Sequence, residues 1–233
     1  MANTHSLDLE SGSSQYAAAN DHASLDISGN LTIEAWVKFE SFSSNTMAIV
    51  GKYHTGSSQQ AYLLFYDGVA NQLYFGVSST GSNVSFGNVA WTPTLGVWYH
   101  VALVYTTAGT ADFYVDGVQQ GAQQTGLRTS IFNSSEKLSI GALGVNAGAS
   151  GFFDGKIDDV RLWSTNRSQA QIIANKNIEL VGNEANLNGY WKLNNDYTDA
   201  TSSGNNLTAS GSPVFSTDVP IWQTFVPIII HFI

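Results

Sequence analysis

Hydrophobic and polar residues alternate over short stretches along most of the chain. Leu31, Ile33, Ala35, Val37 and Phe39 share one phase of the clearest run, with Glu34 and Lys38 on the other and Trp36 between them. A period of two is that of a strand with one face buried, because successive side chains point to opposite faces. Ten further runs read as strands: 6–9, 14–18, 48–52, 61–66, 72–77, 98–105, 110–115, 137–140, 156–163 and 189–193. Phe113 and Val115 share a face, and the following Asp116-Gly117 is the commonest tight-hairpin dipeptide. So many short strands, each ended by Gly, Asn or Ser, predict an all-β fold, a two-sheet antiparallel β-sandwich.

A single short helix interrupts this pattern. Ser168 precedes Gln171 at the spacing of a capping box, and Ile172 and Ile173 follow. No polar linker divides the chain before Asp218. The expected organisation is one sandwich over residues 1–218 and a hydrophobic C-terminal tail over 219–233.

Composition narrows the function classes. With no cysteine, disulfides and zinc-thiolate sites are excluded, although a sandwich of 233 residues needs neither. Nine scattered basic residues against 18 acidic ones, a net charge of −9, argue against a nucleic-acid partner. The first residues show no basic segment followed by an apolar one, so no signal peptide is visible. No apolar run reaches the ~18 residues that a membrane span needs.

The densest acidic stretch is FDGKIDDVRLW, which carries Asp154, Asp158 and Asp159. A glycoside hydrolase needs two carboxylates roughly 5–9 Å apart across one bond. On a regular strand Asp158 and Asp159 point to opposite faces and do not meet that need. On the same rule Asp158 goes with Val160 and Leu162, and Asp159 with Ile157, Arg161 and Trp163. Both phases hold apolar groups, as in a strand covered on each side. Glu34 reads as a solvated or paired strand residue and His100 as a structural histidine. No H-E-x-x-H, nucleophile elbow or phosphate-cradling loop is present.

Several stretches together resemble one family. They are SLDLESGSSQY with TIEAWVKF, then GVWYHVALVY followed by YVDG, LSIGA, FDGKIDDVRLW and GYWKL. Over about residues 4–215 the chain resembles the laminin-G-like and pentraxin-like jelly-roll modules of the concanavalin A-like lectin/glucanase superfamily. The resemblance implies a jelly-roll sandwich, extracellular or surface placement, and a glycan or surface protein as partner, while the lack of a facing carboxylate pair in the strand runs points to a non-catalytic protein. The acidic residues that hold paired calcium in pentraxins have no counterpart in Leu143-Gly144-Val145-Asn146 or Thr55-Gly56-Ser57-Ser58. Other relatives carry one structural Ca2+ at the sandwich edge, and the matching carboxylates here are Asp8, Asp21 and Asp158. The alternative is that Asp158 accepts backbone N–H groups and pairs with Arg161.

Sandwich lectins hold sugars by aromatic stacking and polar side chains. Expected loop candidates are Tyr53, His54, Gln60, Tyr66, Asp67 and Trp91. By the same resemblance, Trp36, Trp98, Trp163 and Trp191 fall at the family's packing positions. The almost uncharged tail VPIWQTFVPIIIHFI is an aggregation hazard if left bare, which motivates a homo-oligomer or larger assembly, such as a virion or cell-surface array. Three classes therefore stay open: a glycan-binding or adhesion module, a structural subunit using the tail, and an enzyme.

Overall fold

A computed structural model describes residues 3–42 and 45–220, so the tail expectation falls almost wholly outside the described residues. The first strands are β1 (Ser6–Leu9), β2 (Tyr16–Ala19), β3 (Leu31–Phe39), β4 (Met47–His54) and β5 (Gln59–Asp67). They are followed by β6 (Gln72–Gly81), β7 (Val84–Ala90), β8 (Trp98–Thr106), β9 (Thr110–Val115) and β10 (Val118–Gln124). Then come β11 (Leu138–Ile140), β12 (Gly155–Trp163), helix α1 (Gln169–Asn175), β13 (Leu187–Trp191), β14 (Thr208–Ser210) and β15 (Val214–Ser216).

Among the described residues these strands form two antiparallel sheets. Sheet A runs β10-β9-β8-β3-β12-β1-β15, with β13 also paired to β12. Sheet B runs β14-β2-β11-β4-β5-β6-β7. Sequence neighbours repeatedly fall in opposite sheets, as in a jelly roll. The core between the sheets takes Leu31, Ile33, Ala35, Val37 and Phe39 from β3, the phase that alternation selects. Asp116 and Gly117 make the β9–β10 turn with φ of 52° and 82°, the left-handed pair that a tight hairpin needs.

Sheet A is covered on its outer face as well. Thr32, Glu34 and Trp36 are buried, so β3 is not the one-face strand that its polar phase indicates. The cover is the segment after β12. Helix α1 starts with the expected capping box: Ser168 Oγ accepts the N–H of Gln171, and Gln171 Oε1 accepts the N–H of Ser168. Ile172 is then buried among Ala102, Val104 and Tyr114 of sheet A. Burying such a side chain stabilises the docked helix by about 1.5–3 kcal/mol. Trp36 Nε1 donates to the Lys176 carbonyl at 2.8 Å, tying β3 to the end of the helix.

The phase rule fails once on β12. Asp158 pairs with Trp36, but Arg161 pairs with Glu34, so β12 carries one extra residue. Asp159, at φ 48°, occupies this bulge. Ile157, Val160 and Leu162 therefore all face the core. Asp158 shares the outer face of Trp36, and Asp159 meets Arg161 there. The expectation that the two aspartates point to opposite faces is corrected: the bulge turns both outward, beneath the cover.

Tyr66 and Trp91, expected in exposed loops, lie in the core. Tyr66 has the same phase on β5 as Tyr62 and Leu64, and packs on Phe39 and Trp91 at 4.9 and 5.6 Å between ring centroids. Its hydroxyl donates to the Trp91 carbonyl at 3.2 Å, and burial pushes its pKa up to about 12.

Candidate functional site

The outer face of sheet B is built differently from that of sheet A. Gly51 of β4 pairs with Leu63 of β5, Leu63 with Gly76 of β6, and Gly76 with Phe86 of β7. Directly paired residues share a face, so these four form a row across the sheet. A Cβ at Gly51 would lie 2.6 Å from Leu63 Cδ1, and one at Gly76 would lie 2.6 Å from Phe86 Cε1. The two glycines let Leu63 and Phe86 recline on the backbone of neighbouring strands. In the adjacent row, Phe65 stacks on Tyr74 with centroids 4.9 Å apart and planes at 10°. Phe86 stands edge-on to Phe65 at 6.4 Å.

A wall rises on the β4 side. Leu143 and Ser150 bridge each other, Gly144 N–H donates to the Tyr53 carbonyl at 2.9 Å, and Ala48 N–H donates to the Gly151 carbonyl at 2.9 Å. Between this wall and Phe86 lies a groove of about 410 Å³, a size usual for small-ligand sites. Its aromatic surface comes from Tyr53, Phe65 and Phe86, and Asn45, Thr46, Thr55 and Ser150 supply polar groups. Among the described residues that line it, none is charged. Phe86 is 49% exposed, so one side of its ring packs on the sheet and the other meets solvent. Burial pushes the Tyr53 phenol up, so it stays a hydrogen-bond donor at neutral pH.

Of the six residues expected to touch a ligand, Tyr53 alone lines this groove. His54 is turned aside, with Nδ1 2.7 Å from Ser57 Oγ and 3.8 Å from Glu136. Gln60 is buried on β5. Asp67 caps its own hairpin by accepting the N–H groups of Val69 and Ala70. Tyr66 and Trp91 are core residues. Phe65 and Phe86 are not among the sequence candidates. The signal for Phe86 is the phase Val84, Phe86, Asn88 in VSFGNVA, too polar a run to read as a strand on its own, and that for Phe65 is its place on the opposite phase to Tyr62, Leu64 and Tyr66 in the 61–66 run.

The three expected metal ligands stand apart, each engaged by a donor of the chain itself. Asp21 is 2.6 Å from Lys52 Nζ, which also binds Asp26 and the Ser134 carbonyl. Asp8 is 3.2 Å from Lys156 Nζ. Asp158 accepts from Asn3 and from the N–H of Asp159, and Arg161 pairs with Asp159 rather than with Asp158. Burial, outweighing these bonds, raises the Asp158 pKa well above its usual value.

The carboxylates that do converge are Asp8, Glu10 and Glu40, whose oxygens lie within 4.8 Å of one another. They could coordinate a divalent ion, but Lys156 already reaches into the cluster and bonds Glu40. Glu10 is raised by partial burial and by the nearby Glu40, Asp154 and Asp8 charges. Among the described residues no helix is long and apolar enough to cross a membrane.

Known proteins share this architecture. A Bacteroides ovatus protein proposed to bind carbohydrate superposes with a TM-score of 0.74 at 20% identity over 95% of this chain, which spans 62% of that protein. The SAP-like pentraxin of Limulus polyphemus gives 0.57 at 13% identity, covering 86% of this chain and 94% of its own. The CBM40 module of a Ruminococcus gnavus sialidase, bound to α2,3-sialyllactose, gives 0.57 at 14% identity, covering 72% of this chain and 95% of its own. At these identities the likeness is one of fold. No curated protein matches the chain in sequence. A family match does extend over residues 11–173, from the turn after β1 into helix α1, and so over most of both sheets. The chain is a member of the concanavalin A-like lectin/glucanases superfamily.

Proposed function

We propose that the protein is a non-catalytic carbohydrate-binding or adhesion module that holds sugars in the groove on the outer face of sheet B. The observation that carries this reading is the aromatic floor of Tyr53, Phe65 and Phe86 rimmed by hydroxyl and amide groups. A pyranose ring offers an apolar C–H face to stack on such rings, and an edge of hydroxyls for the polar rim. Among the described residues no carboxylate lines the groove, so these residues supply no acid–base pair for glycoside cleavage. The proposed carbohydrate binding of the Bacteroides ovatus protein supports the same reading. An extracellular or surface setting goes with a glycan ligand.

Calcium enters this reading only as a structural ion at Asp8, Glu10 and Glu40, where it would displace the Lys156 ammonium. Affinity electrophoresis in gels cast with soluble polysaccharides tests the proposal. Wild-type protein is expected to be retarded by at least one polysaccharide, and Phe86→Ala to migrate freely while still folded, with a melting temperature lower by about 2–4 °C. Retardation that survives Phe86→Ala would place the site elsewhere.

A further inference from the structure

We infer that the groove selects uncharged glycans and rejects sialylated, uronic and sulfated ones. The inference rests on the glycan-binding reading and narrows its ligand class. An anionic sugar brings a carboxylate or sulfate that must find a cation or several N–H donors when it leaves water, because an unpaired buried charge is costly. Among the described residues the groove offers neither arginine nor lysine: its polar groups are Asn45, Thr46, Thr55 and Ser150.

His54 and Glu136, beside the wall, turn toward Ser57 and Asn146, and neither is among the described residues that line the groove. The chain as a whole carries a net charge of −9, which repels anions at long range. An uncharged pyranose needs no such compensation. Its C–H face can cover the exposed Phe86 ring while its hydroxyls exchange water for amide and hydroxyl partners of equal polarity.

Two consequences separate this from other modes of sugar recognition. Binding without ion pairs should be insensitive to ionic strength, since there is no charge attraction to screen. Binding without a carboxylate-held cation should also survive EDTA. The rim sets the selectivity, so a single cation placed on it should widen the ligand range. Thr55 is at the groove margin immediately after β4, and Thr55→Arg would supply a guanidinium there.

The test is a glycan array carrying neutral oligosaccharides (gluco-, galacto-, manno- and xylo-configured) beside sialylated, uronic and sulfated ones. It is probed with wild-type, Phe86→Ala and Thr55→Arg protein at 50 and 500 mM salt, with and without EDTA. The expected result is wild-type binding to neutral glycans alone, unchanged by salt or EDTA, and weakened about tenfold or more by Phe86→Ala. Acidic glycans should appear only with Thr55→Arg. Wild-type binding confined to acidic glycans, or lost at high salt or in EDTA, would overturn the inference and leave the glycan-binding reading standing. No binding to any glycan would overturn that reading and the inference with it.

Discussion

Lys52 is 1% exposed, and an ammonium so far from water is tolerated only where oxygens replace its hydration. Asp21, Asp26 and the Ser134 carbonyl do so, joining the loop after β2 to the segment before β11. Lys52→Met would leave two acids facing each other without their cation. Because both are partly solvated, a loss of about 2 kcal/mol is expected, a fall of roughly 4–8 °C in melting temperature. A thermal melt that does not move would contradict this account of the loops.

Asp158 behaves in the opposite sense. Its folded pKa is raised by burial above the unfolded value, so its ionisation costs stability above the unfolded pKa, and the cost vanishes as pH falls below it. Asp158→Asn removes that cost. It can keep the bond from Asp159 N–H and, with the Asn3 amide turned over, donate to Asn3 Oδ1, a buried acceptor with no partner among the described residues. The variant should melt about 2–4 °C higher than wild type at pH 7, with the gain shrinking toward pH 4. A gain that grows on acidification would show that Asp158 is ionised and stabilising. Its position in the chain marks it as buried signature rather than solvent acid, but the identity of its partner depends on Asn3, 155 residues away.

At the scale of elements, β12 organises the outer face of sheet A. Arg161 donates to Asp159 and to the carbonyls of Asn175 and Ile178, so one guanidinium fastens the strand bulge to the chain on both sides of the helix end. Glu34, although burial opposes its charge, is held below the usual carboxylate range by His100, Arg161 and Arg167. Arg167 also lies over the Trp163 ring at 3.8 Å.

Arg161→Ala should therefore loosen the cover before the sandwich. Hydrogen exchange is expected to accelerate across 164–186 while β4–β6 stay protected, with a loss of about 3–5 kcal/mol for the uncompensated Asp159. Uniform acceleration across both sheets would refute a separable cover. Most strand positions and the capped helix were legible here because alternation and capping are local signals; β7 and β10 were not, because their runs are too polar. The bulge was not, because one extra residue leaves composition unchanged and reverses the phase of everything after it. Tyr66 shows the complementary error: its turn-like neighbours suggest a loop, whereas continuing the phase of Leu64 by two residues puts it in the core.

The molecule as a whole is asymmetric. One sheet face is closed by a helix and buried ion pairs, and the other keeps a phenyl ring and an uncharged groove open to solvent. The sandwich was readable from its strands and family motifs. The groove was not, because it depends on the register that sets Gly51, Leu63, Gly76 and Phe86 side by side, and register is a property of pairing between strands. The most direct test is methyl-resolved NMR of the whole protein titrated with a mixture of neutral hexasaccharides. Leu63, Leu143 and Val84, at or beside the groove, should shift on addition of sugar, while Ile172, Ile173 and Val181 in the segment that covers sheet A stay fixed. Shifts confined to the covered face or to neither would contradict the assignment of sheet B as the binding face.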